Sequence, residues 1–139
     1  MTEIKKISSS AISKALETAF RQYLVGDLKQ PQELGHIYDE DIEVGISFYK
    51  EFTADKPHFH TDVTEYQYMI QGSTRVKNLE TDEVIKLEEG DFYVIKAGTP
   101  YAQKSMPNTK ILFFKYPGMN DKRLVDVDEK TKEWLREME

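Results

Sequence analysis

Residues 57–72 read Pro57-His58-Phe59-His60-Thr61-Asp62-Val63-Thr64-Glu65-Tyr66-Gln67-Tyr68-Met69-Ile70-Gln71-Gly72. In a strand, residues two apart share a face, so His58 and His60 point one way and Phe59 the other, with the histidine Cα atoms roughly 6.5–7 Å apart. Two imidazoles at that spacing can grip one ion. Residues 61–64 then turn the chain, and Glu65 opens a return strand on which a carboxylate can face the same spot. The same alternation carries Gln67 inward as a residue that can orient a ligand, and Met69 inward as core. Two histidines and a carboxylate with open positions suit a divalent transition metal: Fe, Mn, Zn, Ni or Cu.

Outward from this segment the chain reads as β structure. Short runs rich in β-branched and aromatic residues span 42–52, 58–60, 65–71, 74–78, 83–87, 91–95, 101–104 and 110–116. Between them stand Gly72-Ser73, Glu80-Thr81-Asp82, Glu89-Gly90, Ala97-Gly98-Thr99-Pro100 and Pro107-Asn108, which are turn chemistry. Eight short strands with short connections predict an antiparallel sandwich or barrel.

Both ends read differently. Residues 1–10 are polar and lack an apolar period. From Ala11 to about Leu28 the residues Ile12, Ala15, Leu16, Ala19, Phe20, Tyr23 and Leu24 recur at helical steps, with Ser9 or Ser10 as the cap. Asp128 to Glu139 reads as a short amphipathic helix carrying Trp134, Leu135 and Met138. With 139 residues, one domain is expected. The net charge of −6 is mixed along the length with no basic stripe, which argues against a nucleic-acid partner. No apolar run approaches the ~20 residues of a membrane span, so the expected location is the cytoplasm. The chain has no cysteine, so any metal must be held by N and O ligands.

Residues 52–72 resemble the first cupin motif, which reads Gly, five residues, His-x-His, three or four residues, Glu, six residues, Gly. His58, His60, Glu65 and Gly72 fall in register, with Phe52 where the leading Gly would stand. Residues 90–105 resemble the second motif, Gly, five residues, Pro-x-Gly, two residues, His, three residues, Asn. Gly90 and Gly98 match, while Lys96, Tyr101 and Ser105 replace the Pro, the His that is the family's usual fourth metal ligand, and the Asn. The resemblance covers about 42–116. It implies a mainly β fold, a cupin-type antiparallel β-barrel (double-stranded β-helix, or jelly roll), often a homodimer, whose wide mouth holds a small-molecule ligand. An N-terminal helical segment (1–41) then packs on a barrel of 42–117, and 118–139 form a tail and short helix. Residues 115–121, Lys115-Tyr116-Pro117-Gly118-Met119-Asn120-Asp121, are similar to a stretch of stand-alone cupins associated with carbohydrate synthesis, which tilts the ligand toward a sugar.

The expected metal set is His58, His60, Glu65 and Tyr101, the last either as a phenolate or as a phenol that lines the pocket. Gln103 shares a strand face with Tyr101 and stands with Gln67 as a ligand contact. Arg75 and Lys77 share a face after the Gly72 turn, where they meet either an anionic ligand or solvent. Lys104, Lys115 and His36 are read as solvated or packed residues, and the strand aromatics as core or dimer interface. Three readings of function remain. In the first, a metal-dependent cupin acts on a small polar molecule, as isomerase or dioxygenase, with Tyr101 as fourth ligand or proton donor. In the second, a metal-free sugar-nucleotide isomerase or epimerase uses His58 and His60 as acid and base beside Tyr101. In the third, a non-catalytic barrel binds or senses a small ligand.

Overall fold

The period-2 pattern is realised as two antiparallel sheets in a computed structural model that describes residues 2–139. The elements are α1 (Ser9–Thr18), β1 (Arg21–Val25), β2 (Glu43–Tyr49), β3 (Thr53–Ala54), β4 (His58–His60), β5 (Thr64–Gln71), β6 (Ser73–Asn78), β7 (Val84–Glu88), β8 (Phe92–Ile95), β9 (Tyr101–Ser105), β10 (Thr109–Tyr116), β11 (Lys122–Leu124) and α2 (Glu129–Arg136). One sheet runs β1-β2-β10-β5-β8 and the other β11-β4-β9-β6-β7, with β3 paired to β9. Chain-distant strands are neighbours within each sheet, the arrangement of a double-stranded β-helix. No helix among the described residues is long and apolar enough to cross a membrane.

Inward-facing residues of both sheets meet in one core. Tyr49, Met69, Ile95 and Ile111 from the first sheet pack with Val76, Leu87 and Tyr101 from the second, and Met69 is wholly buried. The expected turns hold residues at positive φ, namely Gly72, Asp82, Gly90, Gly98 and Asn108. Gly72 is required twice over. Its φ is 80°, and a Cβ there would lie 2.6 Å from Thr109 Cα and 2.9 Å from the Asn108 carbonyl oxygen, inside any tolerable contact.

The ends depart from the expectation. Ser8, not Ser9 or Ser10, caps α1 by accepting from the Ala11 N–H, and the helix stops at Thr18 instead of running to Leu28. The remainder of the expected helix is β1, which pairs with β2 through Arg21↔Ser47, Gln22↔Ile46 and Tyr23↔Gly45. Residues Phe20 to Val25 satisfy a three-to-four spacing and a strand propensity at once, and the free edge of β2 decides between them. At the other end β11 pairs with β4 through Lys122↔His60 and Leu124↔His58. The sheets therefore extend beyond 42–117 on both sides. In α2 the buried residue is Thr131 and Met138 is exposed. The helix is held by Lys104, whose buried ammonium donates to the carbonyls of Trp134 (2.6 Å) and Glu137 (2.8 Å) and lies 4.3 Å from the Trp134 ring centroid. A cation at the carbonyl end of a helix is favourably placed.

Candidate functional site

Three residues of β4, pinned on both sides, set the site. His58 faces Tyr101 across the β9 pairing and Leu124 across β11, and the Gly98 N–H donates to the His60 carbonyl (2.7 Å). His58 and His60 are 5% and 4% exposed with Phe59 between them half-buried, and their ring centroids stand 5.2 Å apart. From β5, alternation buries Glu65, Gln67 and Met69 and exposes Tyr66 and Tyr68. His58, His60, Glu65, Gln67, Tyr101 and Gln103 all line one cavity of about 150 Å³ between the sheets.

Each histidine has one nitrogen committed. His58 Nδ1 lies 2.7 Å from the Lys56 carbonyl. A carbonyl can only accept, so Nδ1 carries the proton and Nε2 keeps its lone pair. Burial drives the His58 imidazolium down to about 4, so the ring is neutral at pH 7. His60 Nδ1 stands 2.8 Å from Asp121 Oδ1, and its Nε2 is 3.8 Å from Glu65 Oε1. The Asp121 carboxylate is itself clamped by the Asp62 N–H (2.6 Å), the Val63 N–H (3.0 Å) and the Thr61 hydroxyl (3.1 Å). Burial acts upward on this group, but these donors, with that of His60, hold it at about 2. A carboxylate on Nδ1 holds that nitrogen as the donor and orients the ring, the outer-shell arrangement common behind metal-binding histidines.

Glu65 Oε2 accepts from the Gln67 amide. Gln67 Oε1 in turn accepts from the Tyr93 hydroxyl, and Gln103 Nε2 reaches Tyr93 Oη (3.0 Å), Thr74 Oγ1 (3.1 Å) and Gln67 Oε1 (3.3 Å). Gln67 and Gln103 thus hold the carboxylate in place through one network. Among the described residues no three carboxylate and imidazole groups are gathered into a ready metal cluster. The donor chemistry nevertheless fits a cation: two imidazoles, each oriented through Nδ1, and a carboxylate 3.8 Å from the Nε2 of one of them, within the ~4.2 Å that two bonds of ~2.1 Å can span.

Tyr101 is 3% exposed, with its ring 4.5 Å from that of His58. Burial first, then the charges of Glu65 and Asp55, push its hydroxyl well above 10, so it stands beside the histidines as a neutral phenol. Arg75 does not reach the cavity, which corrects the expectation of a ligand contact. On β6 the inward residues are Thr74 and Val76, while Arg75 faces Lys104 and Lys86 across the sheet and bonds Ser73 Oγ. Lys77 shares that outer face and lies 5.5 Å from the Trp134 ring under α2. His36 is exposed and does not line the cavity. Residues missed from the sequence are Arg21, Tyr23, Asp55, Tyr93, Asn120, Asp121 and Lys122, together with Lys115, which lines the cavity instead of facing solvent. Tyr93 carried a usable signal in its alternation with Ile95 on a recognised strand, and Lys115, Asn120 and Asp121 lie in the stretch 115–121 singled out above.

A family model described as Cupin matches residues 51–136. No curated protein matches the chain. Among solved structures, KdgF from Halomonas sp. aligns with TM-score 0.56 and 19% identity over 73% of this chain and 80% of its own. An uncharacterised protein with a double-stranded β-helix domain from Klebsiella pneumoniae gives 0.55 and 17% over 64% and 78%. A structure concerned with the Mn(II) centres of Bacillus subtilis oxalate decarboxylase gives 0.52 and 23% over 59% of this chain and 22% of that larger one. At these identities the likeness is one of fold.

Proposed function

This chain belongs to the cupin family, and we propose that it binds a divalent transition metal through His58, His60 and Glu65 and takes a small polar molecule, a sugar derivative among the first to try, into the same cavity. The observation that carries this reading is the paired commitment of the two Nδ1 atoms, His58 to a backbone carbonyl and His60 to a four-fold bonded carboxylate. Both rings then leave Nε2 as the nitrogen that can meet a metal. A bound metal would supply Lewis acidity toward a carbonyl, hydroxyl or carboxylate oxygen of the ligand. The Gln67–Tyr93–Gln103 network keeps Glu65 oriented, and the Tyr101 phenol stands where it can donate a proton or a hydrogen bond to the ligand. Mn is the first metal to test, since the oxalate decarboxylase of similar fold has Mn(II) centres.

The test is elemental analysis of protein purified without chelators, beside His58→Ala and Glu65→Ala. Near-stoichiometric metal in the parent, lost in both variants, supports the reading. A parent that stays metal-free and takes up none of Fe, Mn, Zn, Ni or Cu overturns it. In that event the His60–Asp121 pair favours the histidines as acid and base, because a carboxylate on Nδ1 stabilises the protonated ring.

The reading includes a homodimer in the cytoplasm. Tyr66, Tyr68, Phe92, Val94, Phe114 and Tyr116 stand on the outer face of three neighbouring strands, β8, β5 and β10, each 36–65% exposed. With ~150–250 Å² per aromatic side chain, they expose roughly 500–600 Å² of contiguous surface. That is at the upper end for a monomer and, with a polar rim, is close to the ~800 Å² per partner of a standard interface. The occupant we assign is a second copy of this chain.

A further inference from the structure

Three cations line the cavity along with the candidate metal ligands, Lys122 as the cross-strand neighbour of His60 and Lys115 as that of Glu65, and the metal reading makes no use of them. Arg21 and Tyr23 enter from β1, Ser47 and Tyr49 from β2, Phe113 and Lys115 from β10, and Lys122 from β11. The Arg21 guanidinium is fixed in place: its Nε–H donates to Ser47 Oγ (2.8 Å), one Nη2–H donates to Tyr49 Oη (3.1 Å), and it lies 4.9 Å and 5.5 Å from the Phe20 and Phe113 ring centroids. That uses two of its five N–H bonds. The other three, two of which make up the outer fork, have no acceptor among the described residues. Lys115 is held over the rings of Tyr23 and Phe113 at 5.8 Å and 5.4 Å, with Glu43 at 3.8 Å. Lys122 forms no ion pair among the described residues.

Against these three cations stand Asp55 and Glu65 in the lining and Glu43 behind Lys115. Glu65 is committed to Gln67 and the histidine side. Asp55 lies 3.5 Å from Tyr49 Oη and is raised by burial against the pull of Arg21. A guanidinium fixed on one side with N–H groups left open, beside a lysine that makes no ion pair among the described residues, is a ready seat for an anion from outside.

We propose that Arg21, Lys115 and Lys122 form a carboxylate subsite, so that the small molecule taken by this cavity is an organic acid. The assignment rests on the cavity being the ligand site, as in the proposed function, but not on the metal being present. A carboxylate is favoured over a phosphate because the outer fork of one fixed guanidinium matches a planar two-oxygen group. Among the described residues no glycine loop or helix N-terminus lines the cavity to supply the backbone N–H groups that phosphate sites commonly use.

The experiment is calorimetric titration of Mn-loaded and chelator-stripped protein with malonate, glucuronate, glucose and inorganic phosphate, repeated on Arg21→Gln, Lys122→Met and His58→Ala. The expected result is that an acid binds while glucose at the same concentration does not, that Arg21→Gln weakens acid binding at least ~10-fold, and that Lys122→Met weakens it in the same direction. Metal content should be unchanged in both variants. Lys122 is on an exposed strand, so its variant keeps the test decisive if Arg21→Gln fails to fold. Acid binding that survives in metal-free parent or in His58→Ala supports the subsite even where the metal reading falls. The proposal is overturned if neither acid binds the folded parent, if both cation variants bind the acid like the parent, or if phosphate binds in preference to both acids.

Discussion

Replacing Asp121 by Asn isolates the one contact that sets the His60 tautomer. In the parent, Asp121 Oδ2 accepts from Thr61, Asp62 and Val63 while Oδ1 accepts from His60 Nδ1. An Asn side chain can keep its oxygen on the first three donors, which turns its NH₂ toward His60. Two N–H groups cannot face each other, so the proton of His60 moves to Nε2, the atom that the metal reading needs bare, 3.8 Å from Glu65. Restoring the ligating tautomer in the variant forgoes the charge-assisted bond that the carboxylate made to Nδ1–H and leaves the amide N–H unpaired, about 1.5–3 kcal/mol. At 1.4 kcal/mol per decade this is a loss of roughly 10–100-fold in metal affinity. The fold should keep three of the four contacts and lose part of the stability that the ionised carboxylate, held at about 2, contributes. The assay is competition of Mn(II) or Zn(II) against a chromophoric chelator, with ¹⁵N-detected imidazole spectra of the metal-free protein to read the tautomer directly. If His60 keeps its proton on Nδ1 in Asp121→Asn, or if affinity stays within twofold of the parent after a demonstrated tautomer change, the reasoning fails.

Other consequences are open to measurement. Burial holds His58 at about 4 against 6.5 in the unfolded chain. Above pH ~6.5 both states are neutral, and between ~6.5 and ~4 only the unfolded state takes up the proton. Metal-free protein should therefore lose stability as pH falls through that window, by about 2–3 kcal/mol after allowance for screening at the cavity mouth, and the loss should level off below it. Urea midpoints across this range should be flatter for His58→Gln, and an equal slope would remove His58 as the cause. Asp121, held at about 2, adds a separate loss of stability only below pH ~4. Phe92→Lys, at the most exposed ring of the outer aromatic face, should shift sedimentation from dimer to monomer without lowering the thermal midpoint of the protomer; a monomeric parent would refute the assigned occupant. Gly72→Ala should cost about 2–4 kcal/mol, from positive φ and the approach of Thr109. Chemical denaturation measures it, and a change under 1 kcal/mol would show that the turn rearranges at little cost.

Local pattern in the sequence was enough for the barrel and for half of its cavity. The alternation in His58-Phe59-His60 and in Glu65 to Met69 is a property of adjacent residues, because a strand sends every second side chain to the same face. The cavity-facing sides of β4 and β5 could therefore be read without knowing what packed against them. The turns at Gly72, Gly90 and Gly98 were legible for a similar reason, since a backbone forced to positive φ selects residues by its own sterics. The resemblance to the cupin motifs joined these fragments into one fold.

The other half of the cavity had no such local signal. Phe20 to Val25 fit a helical and an extended period alike, and only the edge of β2 made them β1 and brought Arg21 and Tyr23 inward. Arg75, by contrast, seemed suited to a ligand and was placed outside by its pairing with Lys86 and Lys104. Asp121 lies 61 residues from His60 in the chain, and nothing in its own neighbourhood marks it as the partner. The face that a strand presents is encoded within the strand. Which edge a segment joins, and which distant carboxylate comes to rest on a histidine, depends on contacts between segments that exist only once the two sheets have closed on each other.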